Sequence, residues 1–261
     1  AAVAARQQDV VTANSANARA ADAPAMIDFD KYRRFGAYHW EMARSHPDYL
    51  RRVEIVCAHV RPTDRVLDLG CGDGAYLYFV APRCKHVTGV DGDEDAIRCA
   101  TTELERHGVR NCRVVRSTFR DLGKQLPTSE RFDLVYSMDC IEHLVDPNEL
   151  LDLAERHLAP GGRILIGTPL FISDAVVSKY HVKEYTHGEL VAMFASRYET
   201  LGEHWLQAPV PGSNEMPERF YVFHGRPRRW WWPWRRSASR VQDDSARLAS
   251  FRLDVGASQR S

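Results

Sequence analysis

Residues 66–74 read Val66-Leu67-Asp68-Leu69-Gly70-Cys71-Gly72-Asp73-Gly74, an apolar strand that runs into three glycines at alternate positions. Glycine lets the backbone adopt positive φ and leaves no Cβ between the chain and a ligand. A helical pattern begins at Ala75, so the stretch is a strand, a glycine turn and a helix in succession. Ligands of open α/β sheets bind at the carboxyl ends of strands, and the loop is therefore a predicted ligand site.

The charge and spacing of this loop indicate which ligand it can hold. A dinucleotide loop has the spacing G-x-G-x-x-G, whereas the spacing here is G-x-G-x-G, with Asp68 and Asp73 beside the glycines. Two carboxylates next to a pyrophosphate would repel it by about 1 kcal/mol or more. No Gly-Lys-Ser/Thr follows, which excludes a Walker loop. The loop favours a cationic ligand over a phosphorylated one.

The rest of the chain alternates between strand and helix patterns. Beyond the first strand at 65–69, strands are predicted at 86–90, 112–116, 132–137 and 163–167, and helices at 94–106, 147–157 and 186–196. Two last strands, 200–206 and 219–223, have no helix between them and predict an antiparallel hairpin. The sequence thus predicts an α/β fold, with a seven-stranded, mostly parallel sheet and helices on both faces.

The composition excludes several classes of protein. With 261 residues, 44% hydrophobic and 27% charged, the chain has the composition of a globular protein built around one large domain. No apolar run reaches the ~18–20 residues needed to span a bilayer. Zero net charge argues against a protein that coats nucleic acid. The six cysteines form no C-x-x-C pair and no zinc pattern, so we expect reduced thiols in a cytoplasmic protein and no metal site.

Four segments follow from the pattern: a disordered leader (1–25), an N-terminal helical cover (26–60) broken at His46-Pro47, the main domain (61–225), and an Arg/Trp-rich, then disordered, tail (226–261). Residues 226–240 hold six Arg, four Trp and no acid, so the rest of the chain carries a net charge of −6. This segment suits an anionic membrane surface, single-stranded nucleic acid, or simple packing on the domain, with nucleic acid the least favoured.

The glycine loop resembles motif I of class I S-adenosylmethionine-dependent methyltransferases, and the resemblance extends over about residues 60–223. It implies a Rossmann-like sheet and S-adenosylmethionine as the cofactor, a sulfonium without phosphate. Asp91, at the end of the second strand, matches the acid that accepts hydrogen bonds from the ribose hydroxyls. The residues that the resemblance assigns to the cofactor are Asp68, Gly70, Cys71, Gly72, Asp91, Gly92, Thr118, Phe119, Ser137 and Met138.

One assigned position departs from the family pattern. Thr118 stands where the family often has an acid near the adenine amino group, and a hydroxyl is the weaker acceptor. Packing of Phe119 on the adenine ring and a purely structural polar loop both remain open.

Two later stretches bear on the acceptor. Residues 141–144 (Ile-Glu-His-Leu) and 180–186 (Tyr-His-Val-Lys-Glu-Tyr-Thr) are similar to small-molecule O-methyltransferases of the ubiquinone-biosynthesis type. The Asn/Asp-Pro-Pro-Tyr/Phe motif for methylating bases is absent, which makes nucleic acid an unlikely partner. The resemblance therefore implies a small-molecule acceptor methylated on a hydroxyl oxygen, and lipid-linked and sugar-linked acceptors are both open.

A hydroxyl acceptor needs a base, and three residues are the catalytic candidates: Glu142, His143, which we expect on a helix, and His181. His39 is a third histidine that could serve. We expect its neighbour Trp40 to pack against the fold, and contact of Tyr38 or His39 with the cofactor remains open. Two alternatives remain open: an RNA or protein methyltransferase that uses the tail, and a cofactor-binding module without catalysis. We expect a cytoplasmic enzyme that associates with membranes if 226–240 binds them.

Overall fold

The computed structural model describes residues 30–173, 177–207 and 218–228. The predicted leader and nearly all of the Arg/Trp-rich tail lie outside these residues. The helices are α1 (Lys31–Phe35), α2 (Tyr38–Ser45), α3 (Pro47–Ala58), α4 (Ala75–Val80), α5 (Glu94–Arg106), α6 (Asn148–His157) and α7 (His187–Ala195); the strands are β1 (Arg65–Leu69), β2 (His86–Asp91), β3 (Cys112–Arg116), β4 (Phe132–Met138), β5 (Leu158–Pro169), β6 (Tyr198–Gln207) and β7 (Glu218–Pro227).

The seven strands form one sheet in the order β3-β2-β1-β4-β5-β7-β6. All pairs among β1 to β5 are parallel, and β7 runs antiparallel to both β5 and β6. The predicted mostly parallel sheet with an antiparallel C-terminal hairpin is confirmed. The carboxyl ends of β1, β2 and β4 therefore meet at one edge of the sheet, beside the glycine loop.

Helices cover both faces of the sheet, as the sequence predicted. On one face, α2, α3, α4 and α5 pack apolar side chains such as Val53, Leu77 and Ala100 against the strands. On the other face, α6 and α7 contribute Leu150, Leu190 and others. Four of the five residues of β1 are buried because both of its faces are covered. Within the described ranges, no helix is long and apolar enough to cross a membrane.

Three local predictions are corrected. β5 was predicted to begin at residue 163 but begins at Leu158, because Leu158 already pairs with Phe132. The Pro-Gly-Gly stretch at 160–162 is an irregular part of the strand. His143 lies in a single 3-10 turn and not on a helix, since the chain becomes extended again at Leu144. The cover has a second break at Gly36, whose φ of 63° ends α1, in addition to the predicted break before Pro47.

Three histidines meet between α3 and the C-terminal hairpin. The Nε2 atoms of His59 and His204 are 3.0 Å apart, and the ring centres of His59 and His224 are 4.1 Å apart. In the first pair one ring nitrogen must donate and the other accept, which requires at least the accepting ring to be neutral. Burial, followed by the neighbouring His224, lowers the pKa of His59 to about 2.

We expect this cluster to make the protein less stable in acid. The pKa of His59 is lower in the folded state than the 6.5 of a free histidine, so the unfolded chain takes up the proton first. The stabilisation is complete above about pH 6.5 and is lost as the pH falls towards the folded pKa, by about 2 kcal/mol between pH 7 and pH 5. Urea unfolding at both pH values measures the loss. His59→Gln should reduce the pH difference, and an undiminished difference would contradict the assignment.

Candidate cofactor and active site

The glycine loop is shaped by positive φ at Gly70, Gly72 and Gly74 (83°, 53° and 78°). The N–H groups of Gly70 and Cys71 both donate to the carbonyl of Val90, at 2.8 and 3.0 Å, which ties the loop to β2. A Cβ at Gly70 would overlap the Cys140 thiol, and one at Gly72 would overlap the Tyr32 hydroxyl. The glycines therefore let the side chains of Cys140 and Tyr32 pack directly on the backbone where β1 ends.

Asp91 is held against this loop. Its carboxylate accepts hydrogen bonds from the N–H of Gly72 (2.8 Å) and of Asp93 (2.9 Å). Burial raises the pKa of Asp91 to about 6, and these two backbone bonds oppose the shift. Asp93, in contrast, caps α5 by accepting from the N–H of Ala96 at 2.8 Å. Asp93 thus caps the helix, and the binding of the ribose by Asp91 remains a prediction.

The other assigned residues of β1 and β4 turn their side chains into the fold. Burial raises the pKa of Asp68 well above the carboxylate range, although the nearby Tyr136 hydroxyl opposes the shift. The Ser137 hydroxyl donates to the carbonyl of Leu69 at 2.6 Å and joins β4 to β1. The buried Met138 thioether lies against Gly167, and the Cys71 thiol lies against Gly89. Cys71, Ser137 and Met138 can therefore offer a ligand mainly their backbone.

The loop after β3 is next to the end of β2. A Cβ on Gly92 would lie 3.8 Å from the Cα of Thr118, so the two predicted cofactor positions are neighbours. The Thr118 hydroxyl donates to the Asp121 carboxylate at 3.0 Å and accepts from the Asp121 N–H at 3.2 Å. Phe119 is half-buried against the α6 side of the core. An adenine contact by either residue remains a prediction.

The N-terminal cover is fixed on the glycine loop by Asp73. The Asp73 carboxylate accepts from the N–H of His39 at 2.7 Å and lies 3.3 Å from His39 Nδ1. Its carbonyl accepts from the indole N–H of Trp40 at 2.7 Å. Trp40 is buried and stacks on His107, as expected of a packing residue. The sequence contained no signal for this contact, since its partners are more than thirty positions apart.

The three predicted catalytic residues converge after β4. One donor atom from each of Glu142, His143 and His181 lies within 4.8 Å of the others. The carbonyl of Glu142 accepts from the N–H groups of Val182 and Lys183 at 2.8 and 3.1 Å, which brings the His181 loop to this position. Glu142 is fully buried.

Each side chain of the cluster is oriented by a further contact. Oε2 of Glu142 accepts from the Thr168 hydroxyl at 2.9 Å, while among the described residues Oε1 has no hydrogen-bond partner. His143 Nδ1 is 2.7 Å from the Tyr180 carbonyl, and His181 Nδ1 is 2.7 Å from Glu184 Oε1. Carbonyl and carboxylate oxygens only accept, so Nδ1 carries a hydrogen in both rings, and Nε2 is the nitrogen of each ring that can accept or release a proton.

The surroundings set the charge of the cluster. Burial, followed by the neighbouring His181, lowers the pKa of His143 to about 3, so His143 is neutral at pH 7. Burial raises the pKa of Glu142, against the influence of His181. Glu184 is buried and has a lowered pKa because His181 and Arg219 outweigh its burial. Arg219 donates to Glu184 at 3.1 Å, a contact that sequence reasoning did not identify.

These donor atoms also have the chemistry of a cation site. Two imidazole nitrogens and a carboxylate oxygen are ligands that Zn²⁺ or Mn²⁺ accepts. The sequence predicted no metal site, because His181 is distant from the adjacent Glu142 and His143 and only the fold brings it to them.

Arg52 and Asp139 form a further pair at this edge that the sequence did not predict. Arg52 Nη1 donates to Asp139 Oδ1 at 2.8 Å, and the guanidinium lies 3.9 Å from the ring centre of Phe220. Asp139 has a φ of 52°, a conformation that costs a non-glycine residue energy and that occurs often at functional sites.

Comparison with known proteins gives one family and several relatives. Residues 61–215 match the model of a family described as methyltransferase domain. A ubiquinone biosynthesis O-methyltransferase of Pseudomonas syringae pv. tomato is 33% identical over 104 residues, which are 40% of this chain and 44% of that protein. A probable cobalt-precorrin-6B C(15)-methyltransferase (decarboxylating) of Methanococcus vannielii is 31% identical over 83 residues, 32% of this chain and 46% of that protein. The chain thus spans under half the length of these curated relatives.

A solved structure gives the same fold. The N-methyltransferase NodS of Bradyrhizobium japonicum WM9, in complex with S-adenosyl-L-homocysteine, superposes with a TM-score of 0.56 at 20% identity, over 71% of this chain and 90% of that one. At this identity the likeness concerns the fold alone.

Proposed function

The chain belongs to the methyltransferase-domain family, within the class I S-adenosylmethionine-dependent methyltransferases, and from that premise we propose that it methylates a hydroxyl oxygen of a small-molecule acceptor. The observation that carries the proposal is the convergence of Glu142, His143 and His181 within 4.8 Å. A hydroxyl must lose its proton during transfer, whereas a thiolate or a neutral amine can attack without a base. A buried proton-accepting cluster at this edge suits a hydroxyl.

S-adenosylmethionine fits the residues at the ends of β1, β2 and β4. It brings a sulfonium, an ammonium and a carboxylate but no phosphate. The loop has no room for a Cβ at Gly70 or Gly72, and its acidic neighbours Asp73 and Asp91 suit a cationic ligand. When bound, the cofactor supplies the electrophilic methyl group. Asp91 would hold the ribose hydroxyls, and the bare backbone at Gly70 would accommodate the methionine part.

The cluster would bind the acceptor hydroxyl and take its proton as the oxygen attacks. His143 is neutral and has Nε2 as its unprotonated nitrogen, and the rings of His143 and His181 are both held in place through Nδ1. Glu142 adds a buried carboxylate whose Oε1 has no hydrogen-bond partner among the described residues. The cover contributes by excluding water from the glycine loop, which favours alignment of the reacting groups.

A transfer assay with methyl-labelled S-adenosylmethionine tests the proposal. The acceptors are catechol, a polyprenyl-linked phenol and methyl glucoside, with a thiol, an amine, RNA and unfolded protein as comparisons. We expect label on a hydroxyl. Label on RNA or protein alone would favour a macromolecular acceptor, and binding without any transfer would favour a non-catalytic module. Each assay is run with and without a chelator, because activity restored by Mn²⁺ would mean that the cluster works through a cation.

We further propose that the acceptor is bound to a membrane, and this part of the proposal depends on residues 226–240. Two arginines of this segment are held by the domain: Arg226 donates to Glu199 at 2.9 Å, and Arg228 donates to the carbonyl of Ala195 at 2.8 Å. The remaining Arg and Trp residues lie outside the described part of the chain. We expect the full chain to sediment with phosphatidylglycerol vesicles at low salt and a chain ending at Arg228 not to. Equal sedimentation of both would remove this role from the segment.

A further inference from the structure

Lys31 lies on the inner side of the N-terminal cover. Its Nζ is 3.1 Å from His39 Nε2 and 4.8 Å from the ring centre of Tyr38. Within the described ranges, no carboxylate oxygen lies within 4 Å of this ammonium nitrogen, the largest distance of an ion pair. The side chain is half-buried, and an ammonium in such a position ordinarily has an anionic partner.

The position of Lys31 is set by the contact between the cover and the glycine loop. An ammonium only donates, so Nε2 of His39 accepts from Lys31 and the ring hydrogen is on Nδ1, which lies 3.3 Å from the Asp73 carboxylate. His39 also stacks on Tyr49, with ring centres 5.6 Å apart. Asp73 therefore fixes Lys31 through a neutral imidazole and does not pair with it directly.

The charges acting on Lys31 locate it between two loops. Burial lowers its pKa, and Asp139, Asp73 and Glu142 oppose that shift. Asp73 belongs to the loop after β1, whereas Asp139 and Glu142 follow β4. Geometry agrees with this position: Lys31 contacts His39, which lies against Asp73, and the hydroxyl of the neighbouring Tyr32 lies where a Cβ on Gly72 would be.

The cofactor's methionine part brings two opposite charges to this place. Its ammonium has acids nearby, but its carboxylate needs a cation or several donors in a partly buried site. Arg52 is already engaged by Asp139 at 2.8 Å and lies 3.9 Å from Asp48. Among the described residues named here, Lys31 is the cation that no carboxylate neutralises.

We propose that the ammonium of Lys31 binds the methionine carboxylate of the cofactor, so that the cover closes over a cofactor that carries this group. The inference rests on the cofactor assigned under the proposed function. It extends that function by giving the cover a role in cofactor recognition. It also explains why the lysine is held by a neutral histidine, since a carboxylate in that place would compete with the ligand.

Calorimetric titration without any acceptor tests the inference. The probes are S-adenosylhomocysteine and its decarboxylated analogue, which lacks only the carboxylate. We expect Lys31→Met to weaken binding of S-adenosylhomocysteine at least about tenfold, the usual worth of one charge-assisted hydrogen bond, and to leave the analogue's affinity unchanged. Lys31→Arg should retain most of the affinity.

Arg33→Met, on the same short helix but with an exposed side chain, is the matched control and should bind both probes like the original chain. Thermal unfolding of each variant checks that the cover remains folded. If Lys31→Met weakens both probes equally, or neither, the carboxylate contact is wrong. An original chain that binds neither probe would instead overturn the proposed cofactor and function, so the two failures are distinguishable.

Discussion

Replacing Asp91 by alanine is expected to weaken S-adenosylmethionine binding by at least about 100-fold, because two or more charge-assisted hydrogen bonds of about 1.5–3 kcal/mol each are lost. The carboxylate holds the loop through the N–H of Gly72 and its own turn through the N–H of Asp93. It is also the acid that would accept from the ribose hydroxyls. Calorimetric titration of the cofactor into both proteins measures the change.

The control for this substitution is two residues away. Asp93→Ser keeps an oxygen that can cap α5 through the N–H of Ala96, so it should retain cofactor affinity. Asp91→Asn should fall between the original chain and the alanine variant, because the amide oxygen still accepts but carries no charge. An alanine variant that binds within about threefold of the original would contradict the role of Asp91.

Much of the fold was predictable because its signals are local. The bounds of β1, β3 and α5 agree with the sequence prediction, since apolar periodicity and flanking turns mark them. The start of β5 was predicted wrongly for the same reason. Pro160 and the glycines after it are typical of a turn. They belong to the strand because Leu158 and Arg163, on either side of them, pair with β4.

The candidate site was predictable only in part. The resemblance gave Glu142, His143 and His181 as candidates, but their convergence depends on loops that meet through the carbonyl of Glu142. Lys31 and Arg52 carried no signal at all. Arg52 meets Asp139 across 87 positions of the sequence, and no pattern within one helix indicates such a partner.

Asp73 connects cofactor binding by the glycine loop with closure of the N-terminal cover. It belongs to the glycine loop, yet its contacts go to His39 and Trp40 of the cover. A ligand that orders the loop would therefore also order the cover above it, and the cover in turn carries Lys31. Cofactor binding and water exclusion would then be one event, which suits a transfer that depends on alignment.

Replacing Glu142 by glutamine is expected to lower kcat for methyl transfer by about 10²–10⁴-fold, the usual contribution of a positioned proton acceptor. Glutamine has nearly the same volume and can still accept from the Thr168 hydroxyl, so the buried site should keep its shape. It cannot take up a proton or hold a charge. The assay uses the hydroxyl acceptor that gives the highest turnover in the panel.

Affinity for S-adenosylhomocysteine distinguishes a catalytic Glu142 from a structural one. A role confined to the acceptor predicts unchanged affinity, because the proposed contacts of the cofactor lie at Asp91, Lys31 and the glycine loop. Glu149→Gln, on α6, changes an acid that pairs with Arg120 at the surface and should leave both kcat and affinity unchanged. If Glu142→Gln keeps kcat within about threefold, the proton must leave by another route. If it loses cofactor affinity instead, Glu142 supports the cofactor, and the two histidines would have to serve the acceptor alone.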